Sequence, residues 1–181
     1  MEEELIYDAN LGLAEKRGET RRWGVDVEAR AQMCSWLWAD ADVNLARGRW
    51  RDAPREADDI PLAPELTSSG GLTMRAASGV EGGIRYRHLG DRSATADGSL
   101  TAQGYTLVSL SCGWELSPFR VQLAIDNLLD TKWREGQMVL ESLMSGKEKE
   151  DFLRGPAPPP DVHFAPGDPR GITVALTYTF R

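Results

Sequence analysis

Few residues in this sequence have the side chains that usually carry out catalysis or hold a metal. The 181 residues include two histidines and two cysteines, namely His88, His163, Cys34 and Cys112. Neither cysteine belongs to a C-x-x-C pair or lies near a histidine cluster, so neither a metal knuckle nor a disulfide scaffold is predicted. His163 follows Asp161 by two positions, but a single histidine near an aspartate is more often a loop residue than half of a catalytic dyad. The sequence therefore predicts no metal site and no enzymatic activity.

Two glycine-rich segments, S-S-G-G at 68–71 and G-V-E-G-G at 79–83, resemble phosphate-binding loops only in composition. A phosphate-binding loop follows a strand, opens a helix and carries a lysine, and both segments lack these features. The net charge of the chain is −7, which disfavours binding of nucleic acid through its phosphates. We therefore expect no cofactor and no nucleic-acid partner.

The dominant pattern is an alternation of apolar and polar residues with a period of two. Near the C-terminus, for example, Ile172, Val174 and Leu176 alternate with Thr173, Ala175 and Thr177. Such alternation predicts strands whose two faces have different surroundings. It predicts eight strands, at 4–9, 23–33, 37–45, 69–76, 80–87, 105–116, 119–126 and 172–180. With no helix predicted before residue 132, the fold class is all-β and antiparallel.

The connections between these strands alternate strictly between short and long. The short ones are at 34–35, 77–78 and 117–118, and the long ones are at 10–21, 50–67, 90–103 and 131–171. Outer-membrane barrels have this asymmetry, with tight periplasmic turns and long extracellular loops. A soluble sandwich whose core takes the apolar face is the alternative, but it gives no reason for the order of the loops.

Strand length and aromatic positions also favour a membrane barrel. The predicted strands of about 9 to 13 residues are long enough to span a bilayer when tilted. Aromatic residues lie near strand ends, as an interfacial girdle requires. They are Trp23, Trp36, Trp50, Tyr105, Trp114, Phe119, Tyr178 and Phe180. The sequence therefore predicts a transmembrane β-barrel or a segment of one.

Composition sets further limits. The chain is 41% hydrophobic but has no apolar run of the length that a transmembrane helix needs. Met1 is followed by three glutamates, which is the opposite of a basic and then apolar signal peptide. We expect a protein that is cytoplasmic, trimmed of its signal, or the tail of a longer chain.

The polar face of a barrel lines its interior, where a receptor contacts its ligand. Charged residues of both signs lie on this face. They are Arg22, Asp26, Glu28, Arg30, Asp40, Asp42, Arg85, Arg87, Arg120 and Asp126. Mixed signs favour a hydrated wall, or contacts to a domain inside the barrel, over an anion-specific filter. Arg85 and Arg87 lie towards the outer end of their strand, which makes them the better candidates for an anionic ligand.

Four motifs, in order, resemble the TonB-dependent outer-membrane receptors. R-R-W-G-V-D-V-E-A-R at 21–30 resembles their R-R-Y-G-V-E-L-E strand, and D-I-P-L-A-P at 59–64 resembles their I-P-x-A-P loop. Y-T-L-V at 105–108 and I-D-N-L-L-D at 125–130 resemble their Y-T-L-V and N-L-F-D signatures. P-R-G at 169–171, leading to Y-T-F at 178–180, is similar to their C-terminal ending. The resemblance covers nearly the whole chain.

This resemblance implies that residues 1–181 form the C-terminal part of a barrel of about 22 strands, without the plug domain. It implies the outer membrane of a Gram-negative bacterium and the uptake of a scarce ligand such as an iron–siderophore or another metal chelate. The implied partners are membrane lipid, the barrel-assembly machinery, and the rest of the receptor with its plug. The TonB-type energy coupler would act only through that plug.

The resemblance also implies roles for individual residues. Tyr178 and Phe180 correspond to the signal that the barrel-assembly machinery reads. The candidates for contact with ligand or plug are Arg85, Arg87, Asp40, Asp42 and Arg120. The motif residues with a structural role are Asn127, Leu128, Leu129, Asp130, Pro169 and Arg170.

The long segment 131–171 divides into two parts. Leu140, Leu143 and Met144 have helical spacing, which predicts a short amphipathic helix within 133–153. The proline-rich run at 155–160 predicts an extended spacer. Two alternatives for the whole chain stay open at this point: a small eight-stranded barrel that closes on itself, and a receptor fragment without a function of its own.

Overall fold

The computed structural model describes residues 4–8, 13–140 and 160–180, and in these ranges all regular structure is β-strand. The described part of the chain contains no helix of the length and apolarity that a bilayer crossing needs. The strands are β1 (Glu4–Asp8), β2 (Leu13–Arg17), β3 (Thr20–Cys34), β4 (Leu37–Trp50), β5 (Leu66–Arg75), β6 (Val80–Leu89), β7 (Arg92–Ser93), β8 (Thr101–Ala102), β9 (Tyr105–Leu116), β10 (Phe119–Asp126), β11 (Arg134–Leu140), β12 (Asp161–Pro166) and β13 (Gly171–Tyr178).

Seven of these strands form one antiparallel sheet with the order β13-β10-β9-β6-β5-β4-β3. Strands that follow one another in the sequence are therefore neighbours, apart from three separate two-stranded hairpins, β1-β2, β7-β8 and β11-β12. The all-β antiparallel prediction is confirmed. The predicted strand at 4–9 differs, because its described residues pair with Leu13–Arg17 and not with the main sheet.

The register joins the apolar positions of all seven strands into one face. One row runs from Ala39 through Leu72, Ile84 and Leu110 to Ile125. We call this side the apolar face and the other side the polar face. The apolar side chains are exposed: in β13, Ile172, Val174 and Leu176 are 66%, 69% and 68% exposed. A soluble sheet would cover such a face, so this one is built for contact with lipid.

The long loops all lie at one end of the sheet, which we call the loop end, and the short turns lie at the other, the turn end. Apart from glycines, the buried residues of the described chain lie at the loop end. They are Thr20, Ile60, Ala94, Ala102, Leu107, Asn127 and Gln137. The packed core of this chain is therefore a layer of loops and strand ends, while the middle of the sheet has no core of its own.

Within the described residues the sheet is open, with β3 and β13 at its edges. Since β13 and β3 are the first and the seventh strand of an antiparallel sheet, the two edge strands run in the same direction. An all-antiparallel barrel can close this sheet only by adding an odd number of strands. Unpaired backbone groups at a sheet edge are very unfavourable in lipid, so these edges require further strands. The predicted strand at 4–9, which would be the eighth strand of a small barrel, does not pair with this sheet in the described residues.

The amphipathic helix predicted within 133–153 is wrong where the structure describes it. Residues 134–140 form β11, which pairs with β12. The pairing partner lies more than twenty residues away, and local spacing of apolar residues carries no information about such pairing. Leu143, Met144 and most of the proline-rich run lie outside the described residues.

Candidate functional site

Two of the predicted site residues, Arg85 and Asp40, form an ion pair on the polar face. Nη1 and Nη2 of Arg85 donate to Oδ1 and Oδ2 of Asp40 at 2.9 and 2.7 Å. Bidentate pairs of this type fix the geometry of both side chains. The Arg85 side chain is 51% exposed and that of Asp40 is 22% exposed, so water surrounds the pair on the open side of the sheet. The pair brings β6 and β4 together although they are not neighbours.

The strand between them is β5, and the residue in line with the pair is Gly71, which lies opposite Asp40 on one side and Arg85 on the other. A Cβ atom at this position would overlap the carbonyl oxygen of Ile84 and lie 2.9 Å from Cγ of Arg85. The absence of a side chain at Gly71 therefore leaves the path along which Arg85 reaches Asp40.

Arg120 forms a similar ion pair across a glycine, nearer the turn end. Its Nη2 atom donates a short hydrogen bond to Oε1 of Glu81. Glu81 lies opposite Gly113, and a Cβ atom there would be 3.1 Å from both Cγ and Oε1 of Glu81. The Glu81 side chain thus crosses the glycine of β9 to reach Arg120 on β10. Two ion pairs of the polar face each span an intervening strand at a glycine.

Arg87 is placed differently, against two aromatic rings at the loop end. Its guanidinium carbon lies 5.7 Å from the ring centroid of Tyr105 and 5.1 Å from that of Trp133. The two rings pack against each other with centroids 4.6 Å apart. Cation–π contacts of this kind hold a guanidinium without an acid. Asp42 lines a shallow depression with Asp40 and Arg85.

Trp133 connects this cluster to the hairpin β11-β12. Its indole Nε1 donates to the carbonyl oxygen of Asp168 at 3.0 Å, and a side chain at Gly167 would overlap its ring. Further along the hairpin, the amide of Gln137 exchanges two hydrogen bonds of 2.8 Å with the backbone of Gln103. The hairpin is therefore fastened to the barrel wall and to the neighbouring loop.

The N-L-L-D motif forms the turn that follows β10. Asn127 is buried and has a positive φ of 49°. Its side chain donates to the carbonyl oxygens of Thr131 (2.9 Å) and Asp168 (3.2 Å) and accepts from the Thr131 amide at 2.9 Å. It thus joins the end of β10 to the chain that enters β13.

Asp130 and Arg170 complete this turn. Asp130 also has a positive φ, 54°, and its Oδ1 accepts from the backbone amide of Arg170 at 3.3 Å. The Arg170 guanidinium lies 3.8 Å from Asp130 and 3.5 Å from the carbonyl oxygen of Leu128. Leu129, in contrast, is 65% exposed.

Tyr178 and Phe180 lie at the turn end of the last strand. Phe119 packs on Tyr178 with ring centroids 5.1 Å apart, and Tyr178 packs edge-on against Phe180 at 4.7 Å. Phe180 is 86% exposed. The three rings form an exposed aromatic row at the corner of the sheet where β13 is an edge strand.

A cavity lies at the loop end. Of the charged polar-face residues named from the sequence, Arg22 lines it, whereas none of the five candidates for contact with ligand or plug does. The cavity has a volume of about 540 Å³. It lies where β3 and β4 reach the loop end, between these strands and the loops at 51–65 and 90–104. Ile60 forms the floor of the cavity, where it packs onto the sheet against Gly48, which has no side chain. Its charged lining residues are Arg22, Arg47, Arg49, Arg92, Asp59, Glu65 and Asp91.

The acidic residues that line this cavity already have hydrogen-bond or ion-pair partners. Asp59 accepts from Ser93 Oγ at 2.5 Å and pairs with Arg49, while Asp91 accepts from the Gly104 amide at 2.6 Å. Arg92, in contrast, makes no ion pair within the described residues, and its Nη1 is buried without a hydrogen-bond partner. Sequence reasoning missed Arg92 because it lies in a loop without periodicity.

The loop that carries Arg92 has its own internal bonding. Ala94 and Leu100 pair through a backbone hydrogen bond of 2.8 Å. Hydrogen bonds from the Thr95 and Ser99 hydroxyls and from the Ser99 amide lower the pKa of Asp97 from 3.8 to about 2. The loop is thus an ordered part of the cavity wall.

The histidines are not brought together. Nδ1 of His88 lies 2.8 Å from Oγ1 of Thr106, while His163 is in β12 opposite Met138. Among the described residues there is no group of three or more histidine, cysteine or acidic side chains arranged to hold a metal.

A long-stranded antiparallel sheet with an exposed apolar face, a charged polar face and loops packed at one end defines a segment of a transmembrane β-barrel. The family model described as "TonB dependent receptor-like, beta-barrel" matches residues 6–128, which is about two thirds of the 181 residues. This chain belongs to the TonB-dependent receptor family, through its β-barrel.

Solved structures have the same fold. The ferric yersiniabactin uptake receptor FyuA from Yersinia pestis is 15% identical with a TM-score of 0.70, over 93% of this chain and 25% of that one. The ferric-catecholate import receptor Fiu from E. coli K12, in its closed form, is 16% identical with a TM-score of 0.65, over 97% and 23%. The copper transporter OprC is 17% identical with a TM-score of 0.63, over 97% and 27%. No curated protein sequence matches this chain.

The chain thus spans about a quarter of the length of these receptors. The predicted family and the predicted location in the outer membrane of a Gram-negative bacterium are confirmed. Members of this family are transport receptors, not enzymes.

Proposed function

We propose that this chain is the C-terminal part of the barrel of an outer-membrane receptor that takes up a scarce ligand such as an iron–siderophore or another metal chelate, without enzymatic activity. The observation that carries the proposal is the division of all seven strands into an exposed apolar face and a charged polar face. Combined with membership of the family, this division supports lipid on one side and the receptor interior on the other.

The polar face has two zones in this proposal. Asp40, Asp42, Arg85 and Arg120 line the wall below the loops, where the plug domain of the receptor would lie. Because three of these residues already take part in ion pairs within the wall, their part is to present a nearly neutral, hydrated surface to the plug. Arg87 with its aromatic rings, and the cavity at the loop end, lie closer to the arriving ligand.

The remaining partners follow from the same arrangement. The TonB-type energy coupler acts through the plug and not on this chain. The exposed row of Phe119, Tyr178 and Phe180 at the corner of the last strand supports recognition by the barrel-assembly machinery, since an accessible edge strand with a terminal aromatic is what such a partner can bind.

The proposal is tested by uptake of a radiolabelled metal into cells that express the protein in its natural context. A deletion strain is supplied with a panel of ferric and copper chelates, with and without the energy coupler. We expect uptake of at least one chelate that is lost both without the protein and without the coupler. Equal uptake in the deletion strain for every chelate would contradict the proposal and favour a purely structural barrel or a fragment without function.

A further inference from the structure

We infer that the lipid-facing side of β3 and β4 binds the headgroup of a phosphorylated lipid of the outer leaflet, through Arg21 and Arg47. The site lies on the apolar face, whereas the proposed function uses the polar face. The inference therefore goes beyond ligand import and needs only the location of the barrel in the outer membrane and the geometry of this chain.

The apolar face carries charged side chains in one place only. Over the seven strands of the main sheet, all of which the structure describes, they are Arg21, Arg47 and Arg49. Arg21 lies opposite Arg49, and Trp23 lies opposite Arg47, so the three arginines share one end of two neighbouring strands. No acidic residue of these seven strands lies on this face, whereas the polar face carries both signs. We call the three arginines the basic patch.

The basic patch and the floor of the cavity at the loop end lie on different sides of β4. This strand forms a wall of the cavity, which touches its residues 46 to 49 in succession. Ile60, the floor of the cavity, packs at Gly48. Because neighbouring residues of a strand point to opposite sides, Arg47 and Arg49 point away from that floor and towards the lipid.

The basic patch also lies at the height of the lipid headgroups. Before it, the apolar face runs over 25–33 in β3 and over 37–45 in β4, which is nine residues in each strand. A tilted strand crosses a bilayer with about 9–11 residues, so the crossing ends next to Arg47. Trp23 is 62% exposed at this boundary, where tryptophan side chains collect at a membrane surface. Since the long loops of such barrels are extracellular, the patch meets the outer leaflet.

Two of the three guanidinium groups have donors to offer. Arg21 is exposed, and its side chain makes no ion pair or hydrogen bond with the described residues. Nε of Arg47 lies 3.7 Å from Glu65, which is beyond hydrogen-bond distance. Arg49, in contrast, is paired with two aspartates of the loop at 51–65. The forked donors of arginine match a phosphate group, so Arg21 and Arg47 are the residues that would hold it.

The apolar face beside the patch has room for acyl chains. Ala29 lies opposite Ala41, and Ala31 lies opposite Ala39, so four alanines form a block of short side chains. Leu72, 45% exposed, borders this block on β5. A lipid whose phosphate is held at the basic patch can lay its chains on the block. The two features together favour a lipid over a soluble anion.

The test is lipid binding to the detergent-solubilised protein, measured by native mass spectrometry. Diphosphoryl lipid A is the probe, and the same lipid after enzymatic removal of both phosphates is the uncharged control. We expect the diphosphorylated lipid to bind, the control to bind several-fold more weakly, and inorganic phosphate to leave the bound lipid in place.

Arg21→Gln and Arg47→Gln should each lower the affinity for diphosphoryl lipid A about fivefold, and the double variant should lower it about 25-fold, because a basic residue near an anionic membrane surface contributes about 1 kcal/mol. Arg47→Lys should lower it less than Arg47→Gln, since lysine keeps the charge but loses the fork of donors. Arg55→Gln is the matched control. It removes the same charge from an exposed position of the loop at 51–65, outside the basic patch, and should leave the affinity unchanged.

A second measurement on the unaltered protein guards against misfolding of the variants. In phosphatidylcholine vesicles, added diphosphoryl lipid A should slow amide hydrogen exchange in 20–24 and 45–50, and the dephosphorylated lipid should not. Equal affinity of the double variant and the wild type, or equal effects of the two lipids on exchange, would overturn the inference. Displacement of the lipid by inorganic phosphate would overturn it as well and would assign the basic patch to a soluble anion.

Discussion

The carboxylate of Asp40 and the guanidinium of Arg85 form a bidentate ion pair across a strand to which neither residue belongs. The two side chains meet over Gly71, at 2.7 and 2.9 Å. Glu81 and Arg120 repeat the arrangement over Gly113. In a sheet whose middle has no core, these cross-strand pairs link three strands at a time, and glycine is the residue that makes them possible.

We expect Gly71→Val to break the pair of Asp40 and Arg85. The new side chain would overlap the carbonyl oxygen of Ile84 and displace Arg85. Overpacking of this kind costs about 1–3 kcal/mol, and the loss of the solvent-exposed pair itself adds little to this cost. The measurement is thermal unfolding in detergent, followed by the heat-dependent shift in gel mobility. Thr73→Val is the control, because Thr73 lies on the same strand and face and already has a β-carbon; equal stability of the two variants would contradict the argument.

Trp133→Ala should release the hairpin β11-β12 from the barrel wall. The substitution removes the contact with Tyr105, the cation–π contact with Arg87 and the bond to Asp168. An aromatic pair contributes about 0.5–1.5 kcal/mol, so amide protection in 134–140 and 161–166 should fall roughly tenfold. Hydrogen exchange with mass spectrometry measures this directly. Phe164→Ala changes the same hairpin at a side chain that is 50% exposed and contacts Arg134, and it should leave protection near the wild-type level. Loss of protection in both variants alike would mean that Trp133 is not the fastening point.

The strands and their two faces could be predicted because a period of two is a local property of the sequence. The pair of Asp40 and Arg85 could not, because it depends on the register of three strands and joins residues 45 positions apart. From the sequence, the glycines at 70–71 were considered only as part of a phosphate-binding loop, which was rejected. In the sheet, Gly71 leaves room for Arg85 to reach Asp40. Likewise, the amide of Gln137 bonds to Gln103, 34 positions away, so local spacing alone gave the wrong helix. Arg92 lies in a segment without any period, and the burial of its Nη1 atom depends on loops that are distant in the sequence.

Asn127 offers a test of why this residue type occupies its turn. Asn127→Ala removes three hydrogen bonds and keeps a β-carbon at a φ of 49°. Asn127→Gly removes the same bonds but relieves the backbone, since a positive φ costs a residue with a β-carbon about 1–2 kcal/mol. Both variants should be less stable than the wild type, and alanine should be less stable than glycine by about 1 kcal/mol. Denaturant unfolding in detergent gives the comparison. A glycine variant as unstable as the alanine variant would show that the hydrogen bonds alone matter.

Phe180→Ala should lower the amount of folded protein in the outer membrane several-fold, while the stability of the folded protein falls by no more than about 0.5–1.5 kcal/mol, the contribution of an aromatic pair such as that with Tyr178. Phe180 is 86% exposed and contacts Tyr178 at one edge, so its loss creates no cavity. Leu176→Ala is the matched control, because Leu176 is 68% exposed on β13, four residues before Phe180. Fractionation of membranes measures the folded amount, and refolding into detergent measures stability. Equal outer-membrane levels of the two variants would contradict a role for Phe180 as an assembly signal.

The lowered pKa of Asp97 predicts that the stability of the loop at 90–104 depends on pH. This loop lies outside the membrane-spanning strands. Hydrogen bonds from Thr95 and Ser99 stabilise the charged carboxylate, so its pKa falls from 3.8 to about 2. Because the folded pKa lies below the unfolded one, this stabilisation is present in full above pH 3.8 and is lost as the pH falls through about 2. Titration of ¹³C-labelled aspartate carboxyls by NMR should show one midpoint near the lower value. Thr95→Val removes the largest cause of the shift and should raise that midpoint towards 3.8. Ser109→Ala, which alters a hydroxyl on the barrel wall, should leave it unchanged. The absence of any midpoint near 2 in the unaltered protein would refute the bonding described for this loop.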